Sequence, residues 1–275
     1  MTLFQDGAEP TKSPRRHTGL VLLSATILLG VLAMVIFPAP YVIERPGPAF
    51  NVLGDSDGVE VITVEGADPA DNPGSLDLLT ISVYGSPGNT PTFFELLQPF
   101  FSTDRSIVPL EVFYPVGETT AETDRRNQLD FDQSQAAAVS AAKTALPVEL
   151  ASKLNVKLNL VSVSGPSGGL MFALGIIDKA TPGSLTGGKK IAGTGTISAK
   201  GQVGPIGGID FKMISAARAG DRYFLAPREN CDDVVGHIPT DLNVFAVSTL
   251  KEALQVLKVV SADGDMSKLP VCTAK

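Results

Sequence analysis

From Gly19 to Phe37 the chain runs GLVLLSATILLGVLAMVIF, 19 residues without a charge. At about 1.5 Å per helical residue, that length crosses most of a roughly 30 Å hydrocarbon core. A cleaved leader is the rival reading. Leader cores run about 7–15 residues, however, and Pro38-Ala39-Pro40-Tyr41 offers no small-x-small cleavage site. The expectation is a retained transmembrane helix over 19–38 behind a tail of residues 1–18. Lys12, Arg15 and Arg16 precede the run, and the first fifteen residues after it hold only Arg45. The positive-inside bias therefore puts the tail in the cytoplasm and residues 41–275 outside it, in a cell membrane crossed once.

Charge and cysteine count narrow the partners of that body. Lys+Arg 22 against Asp+Glu 29 gives a net charge of −7 with no long basic run, so nucleic acid is not an expected partner. Cys231 and Cys272 are too few for a disulfide framework or a four-ligand zinc site. Outside the cytoplasm they either bridge, tying the tail after Val260 to the body, or stay as two buried thiols.

Tyr41 to Gly54 is broken by Pro46 and Pro48 and reads as an extended, membrane-proximal segment. Val59–Glu65 and Leu78–Tyr84 alternate like strands, joined across Ala67–Ser75 as in a hairpin or meander. Phe93–Phe101 predicts a short helix whose exposed face could touch lipid. Asp130–Leu146 predicts an Ala-rich helix stopped by Pro147. Beyond it the pattern interleaves: strand 156–163, helix 168–179, strand 190–197, helix 210–219, strands 223–226 and 242–248, and a helix 249–259 capped by Thr249. The expected fold class is α+β with mixed α/β layers. The expected division is a β-rich part over 41–147, a second part over 148–260 and a tail over 261–275.

Ser164-Gly165-Pro166-Ser167-Gly168-Gly169 lies between a strand and an apolar helix. A serine there has free N–H groups and the positive end of a helix dipole beside it, where an oxyanion can be stabilised, although an N-capping serine looks the same locally. Its base would be a histidine or a lysine. His17 lies across the membrane, which leaves His237 in a polar loop. Lys212, between Phe211 and Met213 after Gly201-Gln-Val-Gly-Pro-Ile-Gly-Gly-Ile209, is placed for the burial that lowers a lysine pKa. Two look-alikes fail. Gly183–Lys190 resembles a phosphate loop but has Lys190 where Ser or Thr holds magnesium. Ser140-Ala-Ala-Lys143 lacks the partner motifs of penicillin-binding enzymes.

Together, GPSGGLMFALGIIDK, LTGGKKIAGTGTISAKGQVGPIGGIDFK and the FLAPRENC segment resemble the proteolytic domain of Lon-type proteases. In that family the nucleophile sits in Gly-Pro-Ser-(Ala/Gly)-Gly and the lysine base follows a Pro-Ile-Gly-Gly stretch. Here Ser167 and Lys212 stand 45 residues apart. The resemblance runs from Val163 to about Leu257. It implies Ser167 as nucleophile, Lys212 as base, Thr194 as the threonine that hydrogen-bonds the lysine, and Gly165, Pro166, Gly168 and Gly169 as the oxyanion turn. It further implies a serine endopeptidase acting on peptides or proteins with no metal, ATP or other cofactor, and a hexameric ring.

The anchor, the YVIERPGPAFNVLG stretch and the lack of an ATPase module resemble the membrane-anchored, ATP-independent bacterial branch. The PDZ domain usual in that branch is missing between Leu146 and Val156. Ser164 and Gly168 replace the common acidic residue and alanine. A catalytically inactive, membrane-tethered peptide-binding adaptor on the same fold is the competing reading.

Overall fold

The computed structural model describes residues 15–67, 73–160 and 163–273. The tail up to residue 14, with Lys12, residues 68–72 of the expected loop, residues 161–162 of the expected strand and the last two residues of the C-terminal tail lie outside the described residues.

The apolar run forms α1 (Arg15–Ile36), of which Thr18–Ile36 is long and apolar enough to cross a membrane. β1 (Tyr41–Asn51) follows directly and stays extended through both prolines. Its pairing shifts register between Pro46 and Ala49, where two N–H groups are missing from the ladder. Two short strands, β2 (Asp55–Ser56) and β3 (Val59–Glu60), pair with each other before β4 (Ile62–Glu65) and β5 (Ser75–Tyr84). A 3-10 segment (Glu95–Phe101), β6 (Ser106–Pro109) and a one-turn α2 (Leu110–Phe113) lead to α3 (Thr120–Ala145). Then come a one-turn α4 (Val148–Ala151), β7 (Asn155–Leu158), a 3-10 turn (Pro166–Gly168) and α5 (Gly169–Ala180). β8 (Lys190–Gly193), β9 (Thr196–Ile197), β10 (Val203–Gly204), α6 (Ile209–Ala219), β11 (Tyr223–Pro227) and α7 (Cys231–Val234) follow. β12 (Asn243–Val247), α8 (Leu250–Ser261) and a 3-10 turn (Met266–Lys268) complete the described order.

Six strands build one mixed sheet in the order β12-β11-β8-β5-β1-β6. β12, β11, β8 and β5 run parallel, and β1 is antiparallel to both neighbours. Period two decides what lies on each face. Leu78, Ile191, Leu225 and Phe245 pack with α3, α5 and α8 on one side, while Leu79, Ala192, Phe224 and Val244 pack with α6 and α7 on the other. The fold is therefore a mixed α/β layer structure, as the interleaved pattern expects. Strands from both sides of residue 148 share the sheet.

The hairpin expected between Val59–Glu65 and Leu78–Tyr84 does not form. β4 pairs with β7, whereas β5 is a central strand between β1 and β8. Leu76, Leu78 and Leu79 bury both its faces, and a two-stranded ribbon could not cover them. α3 begins ten residues before Asp130, because Thr119 and Glu122 form a reciprocal capping box. The polar stretch 120–129 hides that start from an apolar-periodicity reading. Cys231 and Cys272 form a disulfide, and the tail is further held by a Phe245↔Val271 bridge.

Candidate active site

Ser167 sits in the 3-10 turn that opens α5, and that turn is held from two sides, by α3 and by the connection between β8 and β9. Gly165 enters it at φ 82, a left-handed value that favours glycine, and donates its N–H to the Asn127 carbonyl of α3 at 3.1 Å. Ser134, also on α3, donates from Oγ to the Pro166 carbonyl at 2.9 Å. The Ser167 carbonyl accepts twice, from Thr194 Oγ1 at 3.0 Å and from the Gly195 N–H at 2.8 Å. These last donors stand where the expected strand 190–197 breaks, so the break between β8 and β9 is what brings Thr194 and Gly195 onto the serine.

Lys212 arrives from the opposite face of the sheet. α6 starts at Gly208, whose φ of 64 again suits glycine, and the Lys212 N–H bonds the Gly208 carbonyl at 3.1 Å. Ser215 fixes the helix over the prolines of β1, donating to the Gly47 carbonyl at 2.8 Å. Lys212 is 2% exposed. Its Nζ lies 2.8 Å from Ser167 Oγ and 3.1 Å from Thr194 Oγ1. Burial pushes its ammonium down to about 8, because it strips solvation from the charged form. A hydroxyl within hydrogen-bond reach of an amine poised near neutrality is the arrangement a nucleophile and its general base require.

The turn is less uniform than its sequence suggests. Pro166 has no N–H, Gly165 donates to Asn127, and the Gly169 N–H donates to the Pro166 carbonyl. Of the four turn residues expected to serve an oxyanion, Gly168 remains, joined by Ser167's own N–H. Gly168 also explains its departure from alanine, since a Cβ there would run into Leu78 Cδ1. A Cβ on Gly169 would meet Ile197 Cγ2 and Ser134 Oγ at 2.8 Å.

The dyad opens into a cleft of about 620 Å³. One wall is β5: its pairing with β8 stops at Leu78↔Gly193, and Thr80, Ile81, Ser82 and Val83 beyond that point line the cleft opposite Tyr114 and Asn127. Ser164 is exposed at its rim. His237 is elsewhere, exposed and bonded through Nδ1 to the Asp233 carbonyl at 3.1 Å. The look-alikes are occupied as well. Lys143 donates to the Leu154 carbonyl, Thr186 to that of Pro73, and Lys189 pairs with Asp263 at 3.0 Å.

Sequence reasoning missed Ser134, Asn127 and Gly195, which hold the turn without touching the reacting atoms. The small-residue spacing of Ser134, Ala138 and Ala142 on one helical face was the available signal for the first.

Residues 150–260 match the family model described as the Lon protease (S16) C-terminal proteolytic domain. Similar curated proteins include the Lon protease of Campylobacter concisus, 35% identical over 106 residues that are 37% of this chain and 13% of that protein. The Lon protease of Chloroflexus aurantiacus is 38% identical over 106 residues, 38% of this chain and 13% of that protein. Lon protease 1 of Sorangium cellulosum is 35% identical over 104 residues. The chain thus spans about 13% of the length of these relatives.

Proposed function

We propose, on the premise that residues 150–260 are a proteolytic domain of the Lon protease family, that this chain is a membrane-anchored serine endopeptidase working through Ser167 and Lys212. The single observation that carries the proposal is the 2.8 Å contact between Ser167 Oγ and the Nζ of the buried Lys212.

Neutral Lys212 takes the Ser167 proton as Oγ attacks a peptide carbonyl, and the N–H groups of Ser167 and Gly168 meet the oxyanion. Lys212 then gives the proton to the leaving amine, and water releases the acyl group by the same route. Thr194 accepts from Lys212 and donates to the Ser167 carbonyl, so it keeps amine and serine in register. The cleft edge of β5 suits an extended substrate, whose backbone can pair with a strand edge.

Peptide hydrolysis runs downhill, and the proposal routes no ATP through it. In this proposal the body is divided at Pro147, after the long helix, into 41–147 and a catalytic part over 148–260, with the tail from 261. A body outside the cytoplasm fits both the basic residues before the apolar run and the Cys231–Cys272 bridge, which belongs in an oxidising compartment. Its substrates would then be extracytoplasmic proteins. Assembly into a hexameric ring belongs to the proposal too, and mass photometry of the solubilised chain would test it.

A fluorophosphonate probe applied to the full-length protein decides between peptidase and adaptor. The peptidase labels covalently at Ser167, more strongly as pH rises through 8, and Ser167→Ala does not. Absence of labelling at pH 9, where the amine is neutral, would establish the inactive adaptor instead.

A further inference from the structure

Helix α1 ends against a proline. The residue that would donate to the Met34 carbonyl is Pro38, which has no N–H, so that carbonyl lacks its helical partner at the membrane-facing end of the chain. Phe94 supplies it: its N–H lies 3.0 Å from Met34 O, and the Phe93 N–H lies 3.4 Å from Phe37 O. A Pro38↔Thr92 bridge continues the contact. The 3-10 segment Glu95–Phe101 is therefore held beside the last turn of the anchor.

The polar groups of this segment are turned inward or paired. Glu95 accepts from Tyr84 Oη at 2.9 Å and from the Thr92 N–H at 2.7 Å, and Gln98 accepts from Arg105. Leu96 and Pro99 are buried. The outward side is apolar, with Phe93, Phe94 and Leu97 about half exposed, Phe100 75% exposed and Phe101 91% exposed. The patch is continuous with Ile36 and Phe37 at the end of α1, which are as open. Isolated exposed apolar side chains are ordinary, but a contiguous aromatic patch marks a contact surface.

We propose that Phe93–Phe101 is an interfacial belt that seats its aromatic side in the headgroup and upper acyl region of the bilayer, beside the anchor. The partner is a lipid surface. The backbone bonds to Met34 and Phe37 set the depth at which the belt rides, and amphipathic segments carrying Phe and Leu on one side bind at that level. The body then rests against the membrane in a fixed orientation instead of swinging from residues 37–40. The proposal rests on the reading of α1 as a retained anchor.

The chain has no tryptophan, so one introduced indole reports alone. Full-length Phe100→Trp, Ile27→Trp in the middle of α1, and Val148→Trp, a site 78% exposed on the body, are each reconstituted into phosphatidylcholine–phosphatidylglycerol vesicles. Emission is followed with lipids carrying a quencher near the headgroups or near the acyl ends. The expected result is Phe100→Trp shifted to the blue of Val148→Trp and quenched by the shallow label, with Ile27→Trp quenched by the deep one.

If Ile27→Trp responds to the deep label while Phe100→Trp emits like Val148→Trp and escapes both quenchers, the belt is wrong and the anchor stands. If Ile27→Trp also escapes, the anchor reading fails, and the belt with it. A blue-shifted Phe100→Trp that neither lipid label quenches would overturn the proposal in favour of a second copy of the chain covering the patch.

Discussion

Replacing Lys212 by methionine should make the protein inert and, at neutral pH, more stable. The side chain is 2% exposed, and burial alone lowers its ammonium from 10.5 to about 8. Such a lowering corresponds to roughly 3 kcal/mol of instability at pH 7, because the unfolded chain holds the proton with ordinary affinity and the folded one does not. Below pH 8 both states are protonated and the whole cost is present. As pH rises from 8 towards 10.5 the folded lysine loses its proton first, and the cost is progressively relieved.

Methionine has similar length and no charge, so Lys212→Met removes the cost at every pH. Against this stand two lost hydrogen bonds, to Ser167 Oγ and Thr194 Oγ1, each worth about 1 kcal/mol net. Thr194 still donates to the Ser167 carbonyl, so its hydroxyl proton keeps a partner. The balance is a gain of about 1–2 kcal/mol at pH 7, a rise of a few degrees in Tm for a body of this size. The gain should vanish by pH 10.5. Thermal unfolding of the full-length protein in one detergent, at pH 7 and pH 10, measures both. A variant less stable than wild type at pH 7, or a difference that ignores pH, would show that Lys212 is not carrying a buried charge.

Thr194→Val should slow peptide cleavage by up to about 10²-fold through misplaced serine and amine, and should move the pH midpoint of kcat/KM, with Thr194→Ser restoring both. Gly168→Ala drives a Cβ into Leu78 and should cost about 1–3 kcal/mol by overpacking; adding Leu78→Val should recover much of that in a double-mutant cycle. Converting Cys231 and Cys272 together to serine opens a bridge of separation 41 and should remove up to about 4 kcal/mol of stability, seen as a lower unfolding midpoint in urea. Asp221, 4% exposed, is pushed up to about 8 by burial and then by the facing Asp77, itself raised by burial. A raised carboxyl gives stability that is complete below 3.8 and lost as pH climbs to about 8, so Asp221→Asn should flatten the Tm profile between pH 4 and 8.

Much of the second half was legible because its elements carry local signals that agree with their packing. α8 has its capping Thr249, with Leu250, Ala253, Val256, Leu257 and Val260 buried along one stripe. α5 is a continuous apolar run because α3, α8, β4 and the sheet all pack against it. Non-local pairing leaves no such local signal. Nothing in Val59–Tyr84 says that β4 prefers β7 or that β5 goes to the sheet centre, since both choices satisfy the same alternation. Motif spacing singles out Ser167, Lys212 and Thr194, and the structure brings the three within hydrogen-bond reach of one another. The partners of the turn were not legible, because Ser134 and Asn127 sit in an ordinary-looking helix and act through a hydroxyl and a backbone carbonyl.

The two buried ionisable sites lie towards opposite ends of α6, Lys212 in its first turns and Asp221 just past its Gly220 cap, and their pH dependences have opposite slopes. The Asp77–Asp221 pair withdraws stability as pH climbs to about 8, and Lys212 returns stability only above that value. Their combined contribution is therefore lowest near pH 8, where a neutral amine first becomes available to deprotonate Ser167. A lysine with an ordinary pKa would spare the fold this cost, but it would hold its proton and leave the serine unactivated. In the proposed reaction the instability is thus tied to the chemistry at Lys212, whereas at Asp77 and Asp221 it serves no proposed step. Asp221→Asn should accordingly raise Tm at pH 8 while leaving the rise of kcat/KM with pH in place. If removing the carboxylate also displaced that rise, the pair would be coupled to the dyad through α6 and the two sites could not be treated as independent.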